Sequence, residues 1–107
     1  MEEKTFLEAR EQIQNIDAEI ARLFCGRMQA VKEIAAYKKQ QGMPVFDGRR
    51  ERALIERNVA LIEDAQLKDY YLRFLQYTMQ LSREYQLAIL GDDAVIEAAN
   101  GEESANL

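Results

Sequence analysis

The chain has 107 residues, which is enough for one small domain. Its hydrophobic and charged fractions, 48% and 31%, exclude a wholly disordered protein. The net charge is -5, and the acidic excess lies entirely in the tail, at Asp92, Asp93, Glu97, Glu102 and Glu103. A neutral body with an acidic end disfavours binding to nucleic acid or to an anionic membrane.

The cysteine content and the hydropathy pattern favour a cytoplasmic protein. Cys25 is the only cysteine, so it cannot form an intramolecular disulfide, and we predict that it is a small buried residue of the first helix. No apolar run reaches the roughly twenty residues of a membrane span. Glu2 and Glu3 also differ from the basic and then apolar start of a secretion signal.

The first predicted element is a very long helix, from about Glu3 to Gln41, which Gly42 and Pro44 end. At about 1.5 Å per residue it would extend roughly 55 Å, too long for a compact monomer. A heptad seam follows it at Phe6, Ala9, Ile13, Ile16, Ile20, Leu23, Arg27, Ala30, Ile34 and Tyr37. An apolar seam of this length needs a partner along its whole length, so the pattern predicts an oligomer.

Two shorter helices are predicted after the first. Asp47 is a good N-cap for a second helix from Gly48 to about Ile62. A polar join at residues 63–66 leads to a third helix, from about Leu67 to Leu90. With no strand pattern and no internal repeat, the sequence predicts an all-α, three-helix protomer.

Gly91 closes the third helix and marks the predicted boundary of the domain, which covers residues 1–91. Residues 92–107 combine acidic and small residues, and we predict a flexible tail there.

Polar residues interrupt two of the apolar faces. Arg27 occupies a seam position of the first helix, and Ser82 and Gln86 interrupt the series Leu72, Leu75, Met79, Ser82, Gln86 and Ile89 of the third helix. Polar groups on apolar faces are costly unless they are satisfied, so the pattern suggests a polar pocket between helices.

Helical spacing suggests which cations share that pocket. Arg27 and Lys38 return to nearly the same helix face about 16 Å apart and can converge on one ligand. Arg10 lies about 25 Å from Arg27 on the same rod, so it would act only in a partner subunit. Asp47, Arg50 and Glu51 cluster at the start of the second helix, where free amide groups help to bind an anion.

The chain has no histidine, which excludes histidine-based acid–base catalysis, a catalytic triad and a histidine-rich metal site. We therefore expect binding or electrostatic catalysis of a small polyanion, with neither covalent chemistry nor a metal. Taken singly, each residue also has an ordinary interpretation. Arg27 could set the register of an oligomer. Ser82 could bond its own helix, and Asp47 could be only a cap. The remaining residues could be solvated on the helix surfaces: Arg10, Lys38, Arg50, Glu51 and Gln86.

The ordered set resembles the all-helical chorismate mutase family over about residues 5–90. The matching pattern is Arg10-x-x-Ile13-x-x-Ile16-Asp17, Arg27, Ile34-Ala35-x-Tyr37-Lys38, Pro44-Val45-x-Asp47-x-x-Arg50-Glu51, Ser82 and Gln86. The resemblance implies an intertwined homodimer with two shared active sites. It also implies conversion of chorismate to prephenate, towards phenylalanine and tyrosine, by a pericyclic rearrangement that needs neither cofactor nor metal.

The resemblance further implies a role for each matching residue. Arg27 and Arg10 of the partner subunit would bind the two substrate carboxylates. Lys38 would contact a carboxylate and also the ether oxygen, and Gln86 would donate to the same oxygen. Glu51, with Asp47 nearby, would bind the ring hydroxyl. Arg50 and Ser82 would complete the lining.

Two alternatives stay open at this point. An isochorismate pyruvate lyase can share this fold and cationic pocket, although the Asp47-x-x-Arg50-Glu51 cluster favours the mutase. A noncatalytic helical dimerisation module, in which seam arginines set the register, is the alternative from a different class.

Overall fold

The computed structural model of the protein describes residues 2–96. These residues form three α-helices, α1 (Glu3–Gln41), α2 (Gly48–Val59) and α3 (Lys68–Leu90), with short 3-10 helices at Ala65–Leu67 and Gly91–Asp93. Residues 2–96 contain no strand, and an isolated parallel β-bridge joins Pro44 to Val95. The predicted all-α class and the very long first helix are confirmed. No helix in this part of the chain is long and apolar enough to cross a membrane.

The C-terminus of α1 is closed by a Schellman motif. Gly42 adopts a left-handed conformation, with φ of 64°. Its N–H donates to the carbonyl of Lys39 at 3.4 Å, and the N–H of Met43 donates to the carbonyl of Lys38 at 2.9 Å. These two bonds satisfy carbonyls that the end of the helix leaves without partners. The predicted stop at Gly42 is therefore confirmed, and it places Lys38 in the last turn of α1.

Both ends of α2 can be explained from local interactions. Asp47 has extended backbone angles, and its side chain accepts a hydrogen bond from the N–H of Arg50, as predicted for an N-cap. The predicted end near Ile62 is wrong, because α2 ends at Val59. The N–H groups of Leu61 and Ile62 each donate to a carbonyl three positions earlier, at 3.0 Å, so the last turn tightens.

The chain divides into two compact units, the first up to Ala30 and the second from Val31. In the first unit, none of residues 2–30 is buried. Seam residues such as Ile13 and Ile16 are 57% and 50% exposed. The prediction that Cys25 is buried is wrong for the single chain, where this residue is exposed like its neighbours on α1.

The second unit has a small apolar core. Ala35 from α1, Val45 from the α1–α2 loop and Leu90 from α3 form a buried cluster, and Ala94 packs against it. α2 contacts α3. The face that α3 buries consists of Leu75, Met79, Ser82, Gln86 and Leu90. Two polar residues therefore share the buried face of α3 with apolar ones, as the sequence predicts.

The predicted tail begins close to this core. Its first two residues belong to the 3-10 helix Gly91–Asp93, and Val95 bonds to the α1–α2 loop. The rest of the predicted tail, residues 97–107, lies outside the described residues. The division into a domain and a flexible tail stays a prediction.

Candidate active site

Lys38 joins three parts of the second unit through one ammonium group. Its Nζ donates to the backbone carbonyl of Val45 at 2.8 Å and to the Oε1 atom of Gln86 at 3.0 Å. Gln86 lies on α3 and is 6% exposed. α1, the α1–α2 loop and α3 therefore meet at this group, and both acceptors are neutral.

The surroundings of Lys38 lower its pKa below the ordinary value of 10.5. The largest cause is burial, which disfavours the charged form. Attraction to the carboxylates of Asp47 and Glu51 acts in the opposite direction, and repulsion by Arg50 adds to the lowering. Lys38 is thus a partly buried cation whose two bonded acceptors are neutral. This arrangement favours the binding of an anionic group of a ligand beside the ammonium.

The start of α2 brings the predicted Asp47, Arg50 and Glu51 together. Asp47 Oδ1 accepts the hydrogen bond from the backbone N–H of Arg50 at 3.1 Å. This cap fixes the first turn and, with it, the positions from which Arg50 and Glu51 project.

Glu51 has a partner that the sequence analysis did not identify. The Nη1 atom of Arg83, on α3, donates to Glu51 Oε1, and the two side chains are 31% and 22% exposed. The Arg83 guanidinium also lies 5.7 Å from the centre of the Phe46 ring. Glu51 and Arg83 line one cleft between α2 and α3, together with Gly48 and Met79. A charge-assisted bond of this kind holds the carboxylate in one orientation.

Ser82 is 7% exposed and lies one turn before Gln86 on α3. Its hydroxyl donates to the carbonyl of Thr78 at 2.9 Å, the bond to its own helix that the ordinary interpretation predicts.

Arg10 and Arg27 belong to the first unit. Arg10 is exposed, and its guanidinium lies 4.4 Å from the centre of the Phe6 ring, beside a groove lined by Leu7 and Gln14. Arg27 is partly buried on α1. The predicted residues that the structure brings together all belong to the second unit, and the place of the two arginines in the site stays a prediction.

Two contributors to the site were missed for different reasons. Val45 acts through its backbone carbonyl, a group that every residue has, so no side-chain pattern marks it. Arg83 had a weak signal, because it lies three positions before Gln86 and helical spacing places it on a neighbouring face. Its pairing with Glu51 spans 32 positions and depends on how α2 packs on α3.

The ammonium of Lys38 and the amide of Gln86 can stabilise negative charge on a bound molecule, whereas the carboxylate of Glu51 can accept hydrogen bonds from it. A partly buried ammonium and a primary amide meet at 3.0 Å, and a fixed carboxylate lies in the nearby cleft as a hydrogen-bond acceptor. Donors held in place beforehand, in a site partly removed from water, act more strongly than they would in solution. Within residues 2–96, no group of three or more histidine, cysteine or acidic residues is placed to hold a metal ion.

A comparison with protein-family models finds a match to chorismate mutase type II over residues 9–87. The matched range includes every predicted site residue, from Arg10 to Gln86. No curated protein and no solved structure shows significant similarity to the chain.

Proposed function

The chain belongs to the chorismate mutase type II family, and from this premise we propose that it converts chorismate to prephenate. The observation that carries the proposal is the bond between Lys38 and Gln86, which joins two donors from different helices at one point. The rearrangement forms a carbon–carbon bond while the ether carbon–oxygen bond breaks. Negative charge then builds on the ether oxygen, and a pair of donors aimed at that atom lowers the barrier.

Lys38 and Gln86 supply these donors. An ammonium has three N–H groups, and two of them already bond to Val45 and Gln86, so one remains for the substrate. The amide of Gln86 presents its oxygen to Lys38 and keeps its NH2 group for the ether oxygen.

The remaining residues bind and orient the substrate. Glu51, held by Arg83 and close to Asp47, accepts a hydrogen bond from the ring hydroxyl. Arg50 and Ser82 complete the polar lining. No step requires a base or a nucleophile, which agrees with a chain that has no histidine.

The two carboxylates of the substrate require further cations, and we assign them to Arg27 and to Arg10 of the partner subunit. Arginine is suited to this task because its planar fork binds a carboxylate through two parallel bonds. Binding both carboxylates favours the compact conformer in which the reacting carbons meet.

A homodimer is part of this proposal. The heptad seam of α1 remains exposed in the single chain, and α3 also exposes Tyr70, Phe74 and Tyr77, at 65%, 53% and 61%. A second copy of the chain would bury these side chains, which stabilises a domain this small. The expected cytoplasmic location belongs to the same proposal, as does a role in phenylalanine and tyrosine synthesis.

The proposal is tested by adding the purified protein to chorismate, without metal or cofactor, and following both substrate loss and product identity. We expect prephenate to form faster than in the uncatalysed reaction. The Lys38→Ala variant, purified in the same way, controls for a contaminating host enzyme. A folded, dimeric protein that gives no turnover would contradict the proposal, and isochorismate would then test for the lyase.

A further inference from the structure

We propose that the segment after α3, residues 91–95, is a positioning element of the active site. It holds the α1–α2 loop so that the carbonyl of Val45 orients the ammonium of Lys38. This inference rests on the proposed function and deepens it. The family match ends at residue 87, so the resemblance assigns no role to this segment.

The segment is bonded to the loop through the backbone. The N–H of Val45 donates to the carbonyl of Val95 at 2.7 Å, and Pro44 and Val95 form the parallel bridge. Beside this bridge, Lys39 Nζ lies 3.2 Å from Asp93 Oδ2 in an exposed ion pair. The backbone bond is the stronger restraint, because exposed ion pairs contribute little.

Apolar packing reinforces this contact. Ala94 packs against the buried cluster of Ala35, Val45 and Leu90. Val45 itself is 4% exposed, so its N–H needs a protein partner, and Val95 supplies that partner. Displacing the segment would leave this buried N–H without its partner, so the loop would have to move.

Val45 connects the segment to the proposed chemistry. Its N–H is held by Val95, and its carbonyl accepts the hydrogen bond from Lys38 at 2.8 Å. If the loop moves, the ammonium loses one of the two acceptors that set its orientation. The third N–H, the one proposed to reach the ether oxygen, then points in a variable direction, and turnover suffers more than binding.

The charge on Lys38 offers an independent readout. Burial lowers the pKa of Lys38, while Asp47 and Glu51 raise it and Arg50 lowers it. α3 contributes the neutral Gln86, and Lys39 and Asp93 are paired with each other nearby. A loosened loop admits water to the ammonium, so the pKa of Lys38 should rise towards its ordinary value.

The experiment compares two substitutions in the full chain, Ala94→Asn and Ile96→Asn. Both introduce the same neutral side chain, but Ala94 packs on the core and Ile96 is 59% exposed. Hydrogen exchange at the Val45 amide reports the bond to Val95, and kcat, KM and the alkaline side of the pH profile report the state of Lys38. Ala94→Ser is a smaller change that keeps the test usable if Ala94→Asn prevents folding.

For Ala94→Asn we expect Val45 exchange to accelerate at least about tenfold and kcat to fall about 10- to 100-fold. KM should change less, and the alkaline decline should move to higher pH. Ile96→Asn should match the unsubstituted protein. Faster exchange at Val45 with an unchanged kcat would overturn the positioning role, and unchanged exchange would overturn the contact itself. If the unsubstituted protein is inactive on chorismate, the proposed function is overturned, and the catalytic role of the segment with it. Hydrogen exchange at Val45 still tests the contact between the segment and the loop separately.

Discussion

The ammonium nitrogen of Lys38 lies 3.0 Å from the side-chain oxygen of Gln86, although 48 positions of the chain separate them. An ammonium cannot accept a hydrogen bond, so this contact sets which way the Gln86 amide faces. Its NH2 group is not used in this contact, and we propose that it donates to the ligand. One bond therefore orients both the ammonium of Lys38 and the amide of Gln86.

Replacing Lys38 with alanine should lower kcat about 100-fold or more, because one donor to a developing negative charge is lost. The melting temperature should change little. Removing a charge that burial disfavours offsets the loss of two hydrogen bonds. Steady-state kinetics and thermal unfolding measure both effects. Lys32→Ala, at an exposed position of the same helix, is the matched control. A nearly unchanged kcat would remove Lys38 from its proposed role.

The pH profile should show the lowered pKa of Lys38. The protonated amine is the donor, so raising the pH through this pKa removes activity. We expect kcat/KM to decline on the alkaline side at a pH below 10.5, the ordinary value for lysine. In Lys38→Arg, the guanidinium stays charged throughout this range, so whatever activity remains should be flat there. The same decline in both proteins would point to a different titrating group.

Gln86→Glu should work only where the new carboxyl is protonated, since a carboxylate repels the charge that forms on the ether oxygen. Its kcat should therefore rise as the pH is lowered, while that of the unsubstituted protein changes little. Gln86→Met keeps a similar shape without a donor and should stay weakly active at every pH. If the pH profile of kcat on the acid side is as flat in Gln86→Glu as in Gln86→Met, Gln86 does not contact the ether oxygen.

Arg83→Met should lower kcat/KM about tenfold, because Glu51 loses the charged partner that holds its carboxylate. Arg83→Lys should recover part of this loss. Arg73→Met is a close control, since Arg73 is also on α3, pairs with Asp69 and lies 5.0 Å from the centre of the Tyr70 ring. In a double-mutant cycle with Glu51→Gln, the two losses should not add. Fully additive losses would show that Arg83 acts independently of Glu51.

Ile16→Asp should convert the proposed dimer into a monomer with little activity, because a charge would enter the heptad seam. Light scattering at micromolar concentration measures the oligomeric state. Ala18→Asp places the same charge on the opposite face of α1 and should leave the dimer intact. A clean monomer of the unsubstituted protein would contradict the two-chain site.

The fold was largely predictable because its helix boundaries depend on neighbouring residues. At the end of α1, Gly42 bonds to a carbonyl three positions earlier and Met43 to one five positions earlier. Asp47 caps α2 through an amide three positions later. The error at the end of α2 has the same local origin. Ile62 continues the apolar spacing of the helix, so the pattern extends past the true end. The hydrogen bonds after Val59 span three positions and end the α-helix there.

The site was predictable only in part. The sequence by itself determined the helices, the positions of Lys38, Glu51 and Gln86 on them, and a chemistry without histidine. Only the tertiary structure decided that Lys38 meets Gln86, that Glu51 pairs with Arg83, and that Val95 bonds to the loop. Helix signals are local, whereas these contacts join distant positions, and the last of them uses backbone groups common to all residues.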